Sequence, residues 1–347
     1  PYALAPTTTT LAKSYAFDQD VAHLQNVYII NIHKNATQVK CEIMQHGSAG
    51  LGLYMDGTAN YVGSAVYAET GENVATYYCP TSSVASNHAV NIVGWDDNFP
   101  ASSFKNKPAG DGAWLCRNSW SDKTENNINS YFWLSYYDKS IEDAAWIFDF
   151  ESADNYDYNY QYDGAMLYGY MGYAGSNKYS NIFEAKANLG GSENIKAVSF
   201  MTGSSTNLNY TVSVYTNLSD DANPESGTLA AQKSGVTTYD GMYTVVLDSS
   251  VNINEGKKFS VVVEVNSNSG KTSYLAYERS MQSGEAGYWC TASIKANQSF
   301  INSPYNGWND FSNKSYGGNF IIKAFTDNET TTTVDVEKVS LNKSATT

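Results

Sequence analysis

Two short runs of the sequence carry residues that could move protons. His88 stands in Asn87-His-Ala-Val-Asn-Ile-Val-Gly-Trp-Asp96, and Asn118 stands thirty residues later in Trp114-Leu-Cys-Arg-Asn-Ser-Trp120. An imidazole takes up and returns a proton near neutral pH. A carboxamide oxygen accepts the N–H of one ring nitrogen and so decides which nitrogen is left to react. An indole such as Trp120, packed over that contact, would keep water from competing for it. Histidine in this role serves a nucleophile, and a thiol beside an imidazolium is activated by a lowered pKa.

The chain has four cysteines, Cys41, Cys79, Cys116 and Cys290. They form no CxxC pair and no zinc spacing, so neither a metal nor a cofactor is expected. Cys41 falls inside a helical pattern, Cys79 precedes Pro80, and Cys116 lies two residues before Asn118 on the same run. The plain reading of the four is buried free thiols.

The elements that must hold His88 and Asn118 are strands. Ala89–Trp95 and Ala113–Ser119 read as two of them, and Ala49–Tyr54 and Tyr131–Tyr136 as two more. A helix precedes them: Asn35-Ala-Thr-Gln opens a pattern with Val39 and Ile43 on one face, and Gly47 ends it. The Asp, Asn, Pro, Ser and Gly of Asp96–Gly112 mark a surface loop. Trp146, Ile147 and Phe148 are expected to be buried ahead of a boundary near residue 150.

Eight tyrosines lie between Tyr156 and Tyr179. From there to Asp327, short strands alternate with polar turns: Ala197–Thr202, Tyr210–Thr216, Tyr243–Leu247, Phe259–Val265, Ser273–Glu278 and Asn319–Phe325. That density without a helical period predicts an antiparallel β-sandwich. Thr330-Thr-Thr-Thr333 reads as a linker. Val336–Ser344 resembles the first strand of a bacterial immunoglobulin-like domain, so the precursor is expected to continue. The expected division is 1–150, 151–327 and 328–347.

In order and context, the two runs resemble the papain family of cysteine peptidases. A histidine opens a strand that ends in Gly94-Trp95, and Asn-Ser-Trp closes the next strand. Tyr131-Phe-Trp-Leu-Ser-Tyr-Tyr137 stands where the family has its glycine-tyrosine strand. Asp96-Asp97 and the loop after it are similar to the family's bacterial branch. The resemblance implies an α+β papain-like β lobe in residues 1–150, the C-terminal half of the peptidase domain. It also implies a Cys-His-Asn mechanism with His88 and Asn118 catalytic and Trp120 and Asn87 supporting. Ala49 and Ala89 would line a substrate pocket left open to bulky apolar side chains. Ser121 departs from the pattern, because the family has glycine there.

The family nucleophile starts a helix in a Gly-x-Cys-Trp setting, which Cys41, Cys79 and Cys116 do not match. It precedes the histidine by about 130–150 residues, which places it about 40–60 residues before Pro1. Pro1-Tyr2 resembles the turn between the family's two lobes. The expected partner is therefore an N-terminal fragment of the same precursor, carrying the Cys and the oxyanion-hole Gln. Residues 155–327 resemble the lectin-like domain that follows the peptidase in bacterial surface proteins. Trp289, Tyr305, Trp308 and Tyr316 are candidate sugar-stacking residues there, and Asp157 and Asp163 weak candidates for calcium.

The expected function is a secreted or cell-surface endopeptidase acting on proteins or peptides, with glycans as a further partner. The alternative is an inactive adhesin or carbohydrate-binding protein using the peptidase fold as scaffold. With net charge −14 and only two arginines, Arg117 and Arg279, among 21 basic residues, no nucleic-acid partner is expected. No apolar run approaches the roughly 18 residues of a membrane helix, so no membrane insertion is expected.

Overall fold

A computed structural model describes residues 21–56, 60–121, 126–164, 167–186, 191–203, 207–267, 272–281, 291–313 and 317–329. The first part holds β1 (His23–Asn31), α1 (Ala36–His46), β2 (Ala49–Leu53), β3 (Val62–Val66), β4 (Asn73–Tyr77), β5 (His88–Asp96), β6 (Ala113–Arg117), β7 (Tyr131–Ser135) and β8 (Ala144–Glu151). The second part holds β9 (Tyr158–Tyr160), β10 (Leu167–Met171), β11 (Asn177–Glu184), β12 (Ser192–Gly203), β13 (Leu208–Thr216) and β14 (Thr228–Val236). It continues with β15 (Asp240–Asn254), β16 (Lys258–Ser267), β17 (Tyr274–Glu278), β18 (Ser299–Ser303), β19 (Gly307–Asp310), β20 (Asn319–Phe320) and β21 (Ile322–Asn328).

Helix α1 forms where the sequence places it. Val39 and Ile43, four apart, are its buried face, and burying each contributes about 1.5–3 kcal/mol. Gly47, at φ +89°, donates its N–H to the Ile43 carbonyl at 2.8 Å and closes the helix in a left-handed conformation natural to glycine. His46 faces Glu42 and Asp149 of β8, each at 3.4 Å, and so ties α1 to the strand beneath it. Lys40 pairs with Asp97 and lies over the Tyr136 ring. Lys40, aided by the Tyr136 hydroxyl, holds the Asp97 carboxyl below the usual carboxylate range, which anchors the start of the long loop to the helix.

The strands β1-β8-β2-β5-β6-β7-β4-β3 lie side by side. Among the described pairings all are antiparallel except β4 with β7. The sheet does not stop at the boundary expected near residue 150. β8 runs through it to Glu151, and β1 pairs on its other edge with β15 of the second part, Val27 opposite Met242 and Ile29 opposite Asp240. Asn26 accepts the Thr244 N–H at 2.9 Å beside this seam. A six-stranded sheet, β14-β13-β16-β11-β18-β19, packs on the far part of the large one. Phe200 and Val245 of the large sheet share one buried cluster with Tyr179, Val212 and Val263 of the small one, which is the expected antiparallel sandwich.

The Asn319–Phe325 run is two strands. β20 pairs with β17 and β21 with β12, and the chain changes partner at Ile321, whose N–H goes to Ala276 and whose carbonyl takes the Met201 N–H. Phe148 was expected to be buried and is 40% exposed, because it points to the face of β8 opposite Ile147. The tyrosine-rich stretch is structural where it is described. The Tyr160 hydroxyl meets buried Glu193 and receives the Lys186 N–H at 2.7 Å, and Tyr162 donates to the Ile182 carbonyl. Asp163 pairs with Lys323 at 3.0 Å, and Asp157 accepts the Asn328 N–H at 2.7 Å. Tyr305 is 85% exposed, whereas Trp308 donates its indole N–H to Glu225 at 3.0 Å. Pro1-Tyr2, Trp289, Cys290, Tyr316, Thr330–Thr333 and Val336–Ser344 lie outside the described residues.

Candidate active site

His88 is the first residue of β5 and stands opposite Leu53, the last of β2. The ladder continues one step further through a side chain. Asn87 donates its N–H to the Leu53 carbonyl at 3.1 Å, and its carboxamide accepts the Met55 N–H at 2.8 Å and donates to the Met55 carbonyl at 3.2 Å. Asn87 thus acts as an extra rung, fixing the backbone from which His88 projects. Asn87→Ala leaves the Met55 amide groups without these partners. It should lower stability by about 1–2 kcal/mol, read as a lower midpoint in urea unfolding.

Asn118 follows directly on β6. The strand was expected to run to Ser119 and ends at Arg117. Beyond it, the Asn118 N–H turns to the Ser130 carbonyl at 2.7 Å. The side chain is almost fully buried and every polar atom is used. Nδ2 donates to the Ile128 carbonyl at 2.8 Å and points at Met55 Sδ at 3.7 Å. Oδ1 accepts the Ser119 N–H at 2.7 Å and lies 2.9 Å from His88 Nε2.

This network assigns the histidine tautomer. A backbone N–H is a donor only, so the atom it meets is the carboxamide oxygen, and that oxygen requires Nε2 to carry the hydrogen. Nδ1 is then the nitrogen whose lone pair is free to take a proton. The Trp120 indole packs on the imidazole, centroids 4.7 Å apart and planes at 39°, while remaining 46% exposed. Arg117 steadies the turn that carries Trp120. It donates to the Ser121 carbonyl and to Ser130 Oγ, both at 2.7 Å, and lies over the Tyr131 ring. Ser121, the departure from the family pattern, is held through its backbone.

A cleft of about 1040 Å³ opens at His88, Asn118 and Trp120. Ala89 lines it. Ala49 does not: it is 0% exposed and belongs to the core under β2. Side chains alternate along a strand, so its neighbours Gly50 and Gly52 take the cleft face instead. Glu142, Trp146 and Phe148 also line the cleft. Sequence reasoning missed them because the turn before β8 brings them in, Glu142 donating its N–H to the Gly52 carbonyl at 2.9 Å.

The described cysteines lie elsewhere. Cys41 is exposed on α1, and Cys79 and Cys116 are buried. Burial pushes both buried thiols up, so little thiolate forms at neutral pH. None of the three lines the cleft.

Residues 5–146 match the model of the papain family of cysteine proteases, and residues 159–326 match that of the lectin-like domain. Among solved structures, the clostridial cysteine protease Cwp84 after propeptide cleavage is similar at a TM-score of 0.74 and 27% identity, over 92% of this chain and 74% of that one. A second is the cysteine protease and lectin-like domains of Cwp84, a surface layer associated protein of Clostridium difficile. It is similar at a TM-score of 0.70 and 25% identity, over 92% of this chain and 66% of that one. A comparison with curated proteins finds no match. Among the described residues, no helix is long and apolar enough to cross a membrane. The sequence motifs, the fold and these likenesses agree: residues 5–146 are similar to the papain family of cysteine proteases, and residues 159–326 to the lectin-like domain.

Proposed function

We propose that this chain supplies the acid–base half of a secreted or cell-surface cysteine endopeptidase. Its nucleophilic Cys and oxyanion-hole Gln come from a separate or cleaved N-terminal segment of the same precursor. The observation that carries the reading is the His88–Asn118 pair at 2.9 Å, with Nδ1 as the free nitrogen. In the reaction, Nδ1 takes the thiol proton and the thiolate attacks the peptide carbonyl carbon. The tetrahedral oxyanion collapses, the C–N bond breaks, and the imidazolium returns its proton to the leaving amine. Water then attacks the thioester, with His88 again taking and returning the proton. Asn118 holds the ring through both halves, and Trp120 shields the bond between them.

Two further observations support a nucleophile on another segment. Cys41, Cys79 and Cys116 are away from the cleft. Trp120, Phe148 and Phe150 are exposed aromatics, the last two stacked at 6.2 Å, and offer an apolar seat for a second lobe. The cell-surface setting rests on the likeness to a surface layer associated protein.

The test is to express the chain alone and with its upstream segment, then apply a thiol-directed epoxide and assay peptide hydrolysis. Labelling should fall on the added segment and require His88. Labelling and turnover by the isolated chain, lost on replacing Cys41, Cys79, Cys116 or Cys290 by Ser, would show that the nucleophile is internal.

A further inference from the structure

Ala49 and Ala89 pointed to an apolar pocket, but the cleft contains a carboxylate. Gly50, Gly52 and Ala89 line it together with Trp146, Phe148 and Glu142. Glu142 reaches over the α-carbon of Gly52. A methyl group built on Gly52 would come 2.4 Å from Glu142 Oε2, so glycine at this position is what leaves the carboxylate room. Gly52 pairs with Ala89, the residue after His88, which sets the carboxylate beside the strand that carries the catalytic candidate.

The Glu142 side chain is exposed and has no hydrogen-bond or ion-pair partner among the described residues. Arg117 also lines the cleft, but its guanidinium is taken up by Ser121, Ser130 and the Tyr131 ring. Small residues admit a long side chain, Trp146 and Phe148 provide apolar surface for its methylenes, and the carboxylate awaits a positive end. A lysine or arginine side chain meets all three conditions. An aliphatic chain of the same length leaves the carboxylate unpaired, and an acidic one is repelled.

We infer that Glu142 is a specificity-determining residue that directs the cleft to peptides bearing a lysine or arginine side chain near the scissile bond. The inference rests on the peptidase reading above. It is tested on the chain combined with its N-terminal segment, using four peptides identical except for Arg, Lys, norleucine or Glu at one position near the cut. The Arg and Lys peptides should exceed the norleucine peptide in kcat/KM by about tenfold, the scale of one charge-assisted contact, and the Glu peptide should be poorest. The preference should shrink with added salt. Glu142→Gln should abolish it, chiefly through KM, and Glu142→Lys should turn it toward the Glu peptide. An Arg-to-norleucine ratio unchanged in both variants overturns the inference, as does an equal loss on all four peptides. Absence of hydrolysis by the unsubstituted protein removes the peptidase reading and this one with it. Hydrolysis whose preference ignores residue 142 removes this one alone.

Discussion

Replacing His88 by alanine, in the chain combined with its thiol-bearing segment, should lower kcat/KM for peptide hydrolysis by about 10³-fold or more. The loss has two sources. Without the imidazole the thiol keeps its proton at neutral pH, and no group remains to protonate the leaving amine. His88 is half-buried at the head of β5, so the substitution opens space at the cleft and should leave the thermal midpoint little changed.

Asn118→Ala should act differently. It removes the acceptor at 2.9 Å from Nε2 and also strips the Ser119 N–H and the Ile128 carbonyl of their partners. The ring is then free to turn, and a misoriented imidazole costs about 10²-fold. Stability should fall as well, by about 1–3 kcal/mol for the buried groups left unpaired. The double variant should be no slower than His88→Ala, because Asn118 acts only through the ring. A double variant slower by the product of the two single losses would mean that Asn118 has an independent part in the reaction.

The pair itself was legible in the sequence because its signal is local. Each residue sits at the end of a run with strong strand character, and the flanking Gly94-Trp95 and Ser119-Trp120 fix the register of the motif. The pocket was not legible to the same degree. Ala49 and Gly50 are adjacent, and a shift of one residue on a strand changes the face presented. Nothing in Ala-Gly-Leu-Gly-Leu marks which parity faces the cleft until β5 and β8 are placed on either side. Phe148 misled for a related reason. Its hydrophobicity signalled burial, while alternation along β8 puts Ile147 in the core and Phe148 outside. Some strands had no apolar signal to read. β14, Thr-Leu-Ala-Ala-Gln-Lys-Ser-Gly-Val, is an edge strand that is largely exposed, and β3 is short with a glycine in it. The pairing of β1 with β15 joins residues more than 200 positions apart, and no local pattern encodes such a register.

That pairing makes Gly241 the position where one methyl group should have the largest effect on the fold. Gly241 lies in β15 opposite Tyr28 of β1 and Thr202 of β12. Its φ of +137° is a conformation that side chains rarely adopt, and a methyl group there would sit 1.9 Å from the Val27 carbonyl oxygen. The obstacle is backbone within a paired strand, so no rotamer change relieves it. The strands must separate, which loosens the small cluster around Val27, Met201 and Met242 and the contacts of Tyr28 with Tyr239 and Tyr243. Gly241→Ala should therefore cost about 3 kcal/mol or more, combining backbone strain with overpacking. Gly256 provides the control. Its φ is +71° but nothing lies within 4 Å of an added methyl group, so Gly256→Ala should cost about 1 kcal/mol from the backbone alone. The seam joins the first part of the chain to the sandwich, so the Gly241 variant should also lose cooperativity. Its urea unfolding should split into two transitions, one read by tryptophans of the first half such as Trp114 and Trp133, and one by circular dichroism of the remaining sandwich. A single transition at the midpoint of the Gly256 variant would mean that the seam yields without cost and that the two halves are coupled by other contacts.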